Sequence, residues 1–141
     1  MEKSNFGHML VNIKLENLSF YKDLFTFLGW RVLMDHPKAL GIEDGNKGSL
    51  WFQEPIKDVI NDYDGIGMNH LAISVPNQAS VDETVAYLHK HNIEMLFETP
   101  RHRPEFCGST EETYYQVMFE SPDRILFEVV YFGIRQDKTI F

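Results

Sequence analysis

Between residues 65 and 75 the chain reads Gly65-Ile-Gly-Met-Asn-His-Leu-Ala-Ile-Ser-Val75, with Leu71, Ile73 and Val75 alternating with His70, Ala72 and Ser74. Alternation with a period of two and one apolar face predicts a strand. Its other face carries the His70 imidazole. The pattern recurs 62 residues earlier in His8-Met-Leu-Val-Asn-Ile13, where Val11 and Ile13 correspond to Ile73 and Val75. Apolar residues at helical spacing follow each copy: Leu18, Tyr21, Leu24 and Leu28 after the first, Val81, Val85 and Leu88 after the second. The chain therefore reads as two similar halves, each opened by a histidine on a strand.

In the first half, a strand at about 8–14 leads to a helix at about 17–28, with Asn17 placed to cap it and Gly29 to end it. Trp30-Arg-Val-Leu-Met34 and Ala39–Glu43 read as strands around a turn at His36-Pro37. Asp44-Gly45-Asn46 marks a hairpin, and a fourth strand runs from Ser49 to Glu54 before Pro55. Residues 56–66 read as a polar linker. The second half repeats the order: a strand at 69–75, a helix at about 78–91, and strands at 93–98, 113–120 and 124–132, the last two joined by Ser121-Pro-Asp-Arg124. A loop of about 14 residues at 99–112 is too long for a mere connection. The fold class is α+β, with two tandem βαβββ modules at about 6–55 and 67–133 of one 141-residue domain.

Composition narrows the partners. A net charge of −8 disfavours nucleic acid and anionic membranes, because phosphate would be repelled. The single cysteine, Cys107, can form no internal disulfide and suits a reducing compartment. No apolar run nears the ~20 residues of a membrane span, and Met1-Glu-Lys-Ser-Asn5 lacks the apolar core of a signal peptide. A cytoplasmic location is expected.

The candidate chemistry comes from the module ends. Leu50-Trp-Phe-Gln53 resembles Ile125-Leu-Phe-Glu128: three apolar residues, then a polar one at an inward position. Glu128 is the sharper signal, because it interrupts Ile-Leu-Phe-Glu-Val-Val-Tyr, an otherwise buried strand. A carboxylate there costs several kcal/mol unless a cation meets it. The repeat nominates His8, Gln53, His70 and Glu128 as a mixed nitrogen and oxygen set for one divalent ion: zinc, nickel, cobalt, manganese or Fe(II). The Gln53 amide serves equally well as a hydrogen-bonding neighbour. Arg101 and Arg103 are candidates to clamp an anionic group, and Trp51 and Tyr115, on inward faces, to line a substrate pocket. His36, His89, His91 and His102 fall in turns, a helix end or a loop and are given no role. Cys107 has no evident base beside it and is not read as a nucleophile.

Nearly the whole chain resembles the vicinal oxygen chelate superfamily, which includes glyoxalase I, methylmalonyl-CoA epimerase, fosfomycin-resistance thiol transferases, extradiol dioxygenases and bleomycin-binding proteins. The resemblance rests on the βαβββ repeat, Phe20-Tyr-Lys-Asp-Leu24 with Leu28-Gly-Trp30, Asn69-His-Leu-Ala-Ile-Ser-Val75, and Ser121-Pro-Asp-Arg-Ile-Leu-Phe-Glu128. It implies an open, curved mixed-sheet barrel around a metal-binding cleft, with ligands on the first and fourth strands of each module. Carried over, these are His8, Gln53, His70 and Glu128. Gln53 is the epimerase-like choice. Glu54 would restore the glyoxalase set, but it precedes a proline and falls on the opposite face. The implied activity is glyoxalase-like lyase or isomerase chemistry on a small substrate chelating through two oxygens, with Glu128 moving the proton. A metal-free binding protein of the bleomycin-resistance type and an epimerase-like enzyme are the alternatives. The resemblance and the exposed sheet edges also imply a homodimer; light scattering giving the 16.5 kDa mass of one chain would exclude it.

Overall fold

The computed structural model describes residues 1–136. They form two compact units, which divide between Ile60 and Asn61. Each is a four-stranded mixed sheet with one helix, and each follows the βαβββ order, so the chain is α+β with two tandem modules.

In the first unit, β1 (His8–Asn12) and α1 (Leu18–Phe27) precede β2 (Arg31–His36), β3 (Ala39–Glu43) and β4 (Ser49–Gln53), and the sheet order is β1-β4-β3-β2. Leu50 and Phe52 of β4 are buried at 3% and 1% exposure, and Tyr21 and Phe25 of α1 stack against Phe52 with centroids at 4.6 and 6.1 Å. The odd-numbered residues of β4, Ser49, Trp51 and Gln53, therefore face away from the helix.

In the second unit, β5 (Leu71–Ser74) and α2 (Gln78–Lys90) precede β6 (Met95–His102), β7 (Glu112–Glu120) and β8 (Leu126–Ile134), ordered β5-β8-β7-β6. Asn77 caps α2, its side chain accepting from the Ser80 amide at 2.8 Å. The helix buries Val81, Thr84 and Leu88. Val117, Phe119, Phe127 and Val129 of the sheet are likewise buried. Even-numbered residues of β7 and β8 take the opposite face.

Two expectations need correction. The 56–66 linker is not wholly a linker: Asn61 begins the second unit, and Tyr63 is buried with Met118 and Leu126. Tyr63 donates to Glu120 at 2.5 Å, lies beneath the Arg124 guanidinium at 5.1 Å, and is joined by an Asn61 side-chain bond to the Arg124 carbonyl. The 99–112 loop is also shorter than expected, because β6 continues to His102 and β7 starts at Glu112, with a 3-10 turn at Pro104–Phe106 between them. No helix among the described residues is long and apolar enough to cross a membrane.

Candidate functional site

The second unit holds a cleft of about 820 Å3 on the face of its sheet away from α2. At its centre is Glu128, 2% exposed and paired in the ladder with Met118 on one side and Ala72 on the other. His70 lies just before β5 and has the same parity as Ala72. Its Nε2 comes to 3.0 Å from Glu128 Oε2. Two of the four nominated residues, His70 and Glu128, are thus in direct contact within one module.

Neighbouring groups fix the state of this pair. The Asn69 amide donates through Nδ2 to the Tyr63 carbonyl at 3.0 Å, which turns its Oδ1 toward His70 Nδ1 at 2.7 Å. A carbonyl oxygen can only accept, so Nδ1 carries a proton. Nε2 is then either protonated, giving an imidazolium–carboxylate pair, or a lone pair free to bind a cation. On the other side, the Tyr114 hydroxyl donates to Glu128 Oε1. Burial, then the bond to Glu128 and its charge, push the Tyr114 phenol well above its ordinary range, so it remains a donor.

Arg101 and Arg103 line the same cleft but are used differently. Arg103 donates through Nε to Glu105 at 2.5 Å and through Nη1 to Gln116 at 3.0 Å, and it lies 4.6 Å over the Phe106 ring. That bond holds the Glu105 carboxyl below its usual range. Among the described residues, Arg101 makes one side-chain bond, from Nη1 to Glu98 at 3.3 Å, and its Nε is buried without a partner.

Tyr115 is corrected to the other face. Its hydroxyl donates to Asp82 of α2 at 2.7 Å, and its ring stacks on His102 at 4.4 Å. Tyr114, one residue earlier, lines the cleft instead. The signal was available in the sequence: the Ser121–Arg124 turn sets Met118 opposite Glu128, so even-numbered residues of β7 share the glutamate's face. Asn69 and Tyr63 are also site residues that the sequence did not nominate. Both belong to the stretch before β5, whose packing has no periodic signature.

In the first unit, His8 is exposed at the start of β1, opposite Ser49. Gln53 sits at the other end of that ladder opposite Asn12, to whose Oδ1 its amide donates at 3.0 Å. Four rungs, roughly 13 Å at 3.3 Å per residue, separate the two, so this module forms no counterpart of the His70–Glu128 contact through Gln53. Trp51 lies over Gly41, and its indole N–H donates to Ser49 Oγ at 3.0 Å.

The His70–Glu128 pair suits a divalent cation chemically. It offers one nitrogen and one anionic oxygen, with the outer ring nitrogen already held by Asn69 as imidazole ligands usually require. No group of three or more histidine, cysteine, aspartate or glutamate side chains is gathered among the described residues.

No family model and no curated protein matches the chain. Among solved structures, a Bacillus halodurans protein assigned as a glyoxalase superposes with a TM-score of 0.74 at 24% identity, covering 89% of this chain and 94% of that one. Lactoylglutathione lyase from Agrobacterium tumefaciens superposes at 0.61 with 17% identity, covering 93% and 96%. The fosfomycin resistance protein FosX from Mesorhizobium loti does so at 0.59 with 16% identity, covering 93% of each chain. The chain shares its fold with these proteins and with solved structures described as glyoxalase/bleomycin resistance proteins and a glyoxalase/bleomycin resistance protein/dioxygenase.

Proposed function

We propose that the second module's cleft binds a small molecule through a divalent cation and carries out glyoxalase-type lyase or isomerase chemistry beside a carbonyl. The observation that carries this reading is the hydrogen-bond chain from Tyr63 through Asn69, which leaves His70 Nε2 aimed at a buried carboxylate. A zinc, nickel, cobalt, manganese or ferrous ion held by His70 Nε2 and Glu128 Oε2 would supply Lewis-acid stabilisation of charge developing on a substrate oxygen. Asn69 fixes the imidazole plane. Tyr114 holds the carboxylate through Oε1 so that Oε2 faces the ring, and the second lone pair of Oε1 is where Glu128 would take a transferred proton. Met118, Leu126 and Tyr63 form an apolar floor that limits water beneath the pair. The glyoxalase and lactoylglutathione lyase names among the similar structures support the same class.

A metal-free small-molecule binding protein is the second reading. It is favoured by the direct contact of His70 Nε2 with Glu128 Oε2 at 3.0 Å, which as an imidazolium–carboxylate pair needs no metal. Metal analysis separates the two. Protein purified without chelator should carry about one divalent ion per chain, and His70→Ala should release it. A stoichiometry near zero after reconstitution with each of the five metals would replace the first reading with the second.

A further inference from the structure

The ladder between β6 and β7 is broken at one place. Leu96 pairs with Met118 and Arg101 with Gln116, so residues 97–100 face the single residue Val117. A bulge of this kind re-aims side chains at the edge of a sheet, and such features concentrate beside functional sites. Thr99 holds it in shape: its hydroxyl donates to the Leu96 carbonyl at 2.7 Å and accepts from the Met118 amide at 2.9 Å. Phe97 and Glu98 take left-handed backbone conformations, with φ of 56° and 59°. Neither is a glycine, so each conformation costs free energy, of order 1–3 kcal/mol at such sites. What that strain accomplishes is visible in the side chains. Both residues are turned to the cleft, and the Glu98 carboxylate is brought to Arg101.

That ion pair is a weak one. Glu98 is 88% exposed and meets a single guanidinium nitrogen at 3.3 Å, a geometry that contributes little in water. It also leaves most of the Arg101 fork unused, including the buried Nε. Arg103 has no such reserve, because Glu105, Gln116 and Phe106 already engage it. The two arginines, equal candidates by sequence, thus divide into a scaffold residue and an open one.

We propose that Arg101 is the residue by which this cleft recognises a carboxylate on its ligand, and that Glu98 occupies that position in the free protein and is displaced on binding. The ligand class is a small carboxylate with an apolar body, which Phe97 and Phe106, both about half exposed, would cover. This rests on the cleft being the ligand site under the reading above, but not on the metal. A carboxylate taking the place of Glu98 at Nη1 matches the terminal fork of the guanidinium with two parallel bonds, and replaces a partner that returns to water at little cost.

The test uses 3-phenylpropanoate and its uncharged amide, titrated into metal-free and metal-loaded protein while the arginine Nε–H signals are followed by NMR. The Arg101 Nε–H signal should move saturably with the acid and remain still with the amide, in both forms of the protein. Arg101→Met should weaken acid binding about tenfold or more, the scale of a charge-assisted hydrogen bond. Glu98→Gln should tighten it, up to roughly fivefold, by removing the competing carboxylate. A residue with a purely structural role would not give that gain. Equal affinity for acid and amide, no binding of either, or a Glu98→Gln variant that binds the acid no better than the native protein would overturn the proposal. The Nε–H signal and the Glu98 variant decide it even if Arg101→Met fails to fold. Binding of the acid that is unchanged by metal, in a protein that also fails to retain metal, would overturn the metalloenzyme reading and leave this one standing.

Discussion

The two modules can be compared rung by rung. Both hairpins close with five residues between their last pairs, Glu43 with Ser49 and Glu120 with Leu126. Ser49 thus corresponds to Leu126, Trp51 to Glu128, and Gly41 to Met118. Along the parallel ladders, Leu10 pairs with Trp51 as Ala72 pairs with Glu128, which makes His8 the counterpart of His70. The first module keeps the histidine but has a tryptophan where the second has its carboxylate. It also has Gly7 where the second has Asn69 and, four residues before Gly41, Pro37 at the count of Tyr114. The difference lies in what surrounds each histidine rather than in the histidine. His70 has a ring orienter, an anion and a phenol beyond the anion, and the first module carries Gly7, Trp51 and Pro37 at the corresponding counts.

The largest effect should come from removing the anion. Glu128→Gln is nearly isosteric and takes a charge out of an apolar strand, so the fold should survive and the metal-free protein should lose little stability. The amide can still offer an oxygen but cannot accept a proton, so turnover at saturating metal should fall about a hundredfold or more. Asn69→Ala removes only the ring orienter, and metal affinity should fall roughly 10- to 100-fold, as for other outer-shell partners. His8→Ala, which has no orienter to lose, is the control. If Asn69→Ala leaves metal affinity unchanged, the contrast between the two histidines has no chemical meaning.

A smaller effect should come from the first module's replacement for the site. A Cβ on Gly41 would meet the Trp51 ring well inside contact distance, so the ring must shift or the sheet must bend. Gly41→Ala should therefore destabilise the protein by about 1–3 kcal/mol, the usual cost of overpacking. Trp51→Ala in the same chain should recover most of the loss, because the atom that clashes is gone. Additive losses in urea unfolding would mean that Trp51 does not depend on the glycine beneath it.

The repeat was legible in the sequence and its register was not. Alternation predicts two strands opened by His8 and His70; β1 does begin at His8, whereas β5 begins one residue after His70. The module ends were aligned by residue type, Leu-Trp-Phe-Gln on Ile-Leu-Phe-Glu, which put Gln53 in the place that the pairing gives to Trp51. A slip of two residues keeps every side chain on its own face, so a period-two pattern cannot detect it. Only the equal hairpin lengths could have. Tyr63 and Asn69 were invisible for another reason: they act from an irregular segment through backbone and amide bonds that leave no pattern.

The smallest effect separates the faces of β7 and depends on pH. Burial, followed by the bond to Asp82 and its charge, raises the Tyr115 phenol above its ordinary value of about 10. The folded state thus holds this proton more tightly than the unfolded chain does. The resulting stability is complete below pH 10 and is lost as pH rises above it, because only the unfolded chain then gains by ionising. Urea unfolding between pH 9 and 11 should show this loss, and Tyr115→Phe should reduce it, leaving the part that Tyr114 contributes in the same way. The same variant should leave ligand binding unchanged, since the ring lies on the helix side with Asp82 and His102. Tyr114→Phe should do the reverse in the binding assay, weakening the cleft by releasing Glu128 Oε1. Adjacent tyrosines on one strand would thus report separately on core and site. A Tyr115→Phe variant that loses ligand affinity while keeping the native pH dependence would mean that the faces of β7 have been assigned the wrong way round.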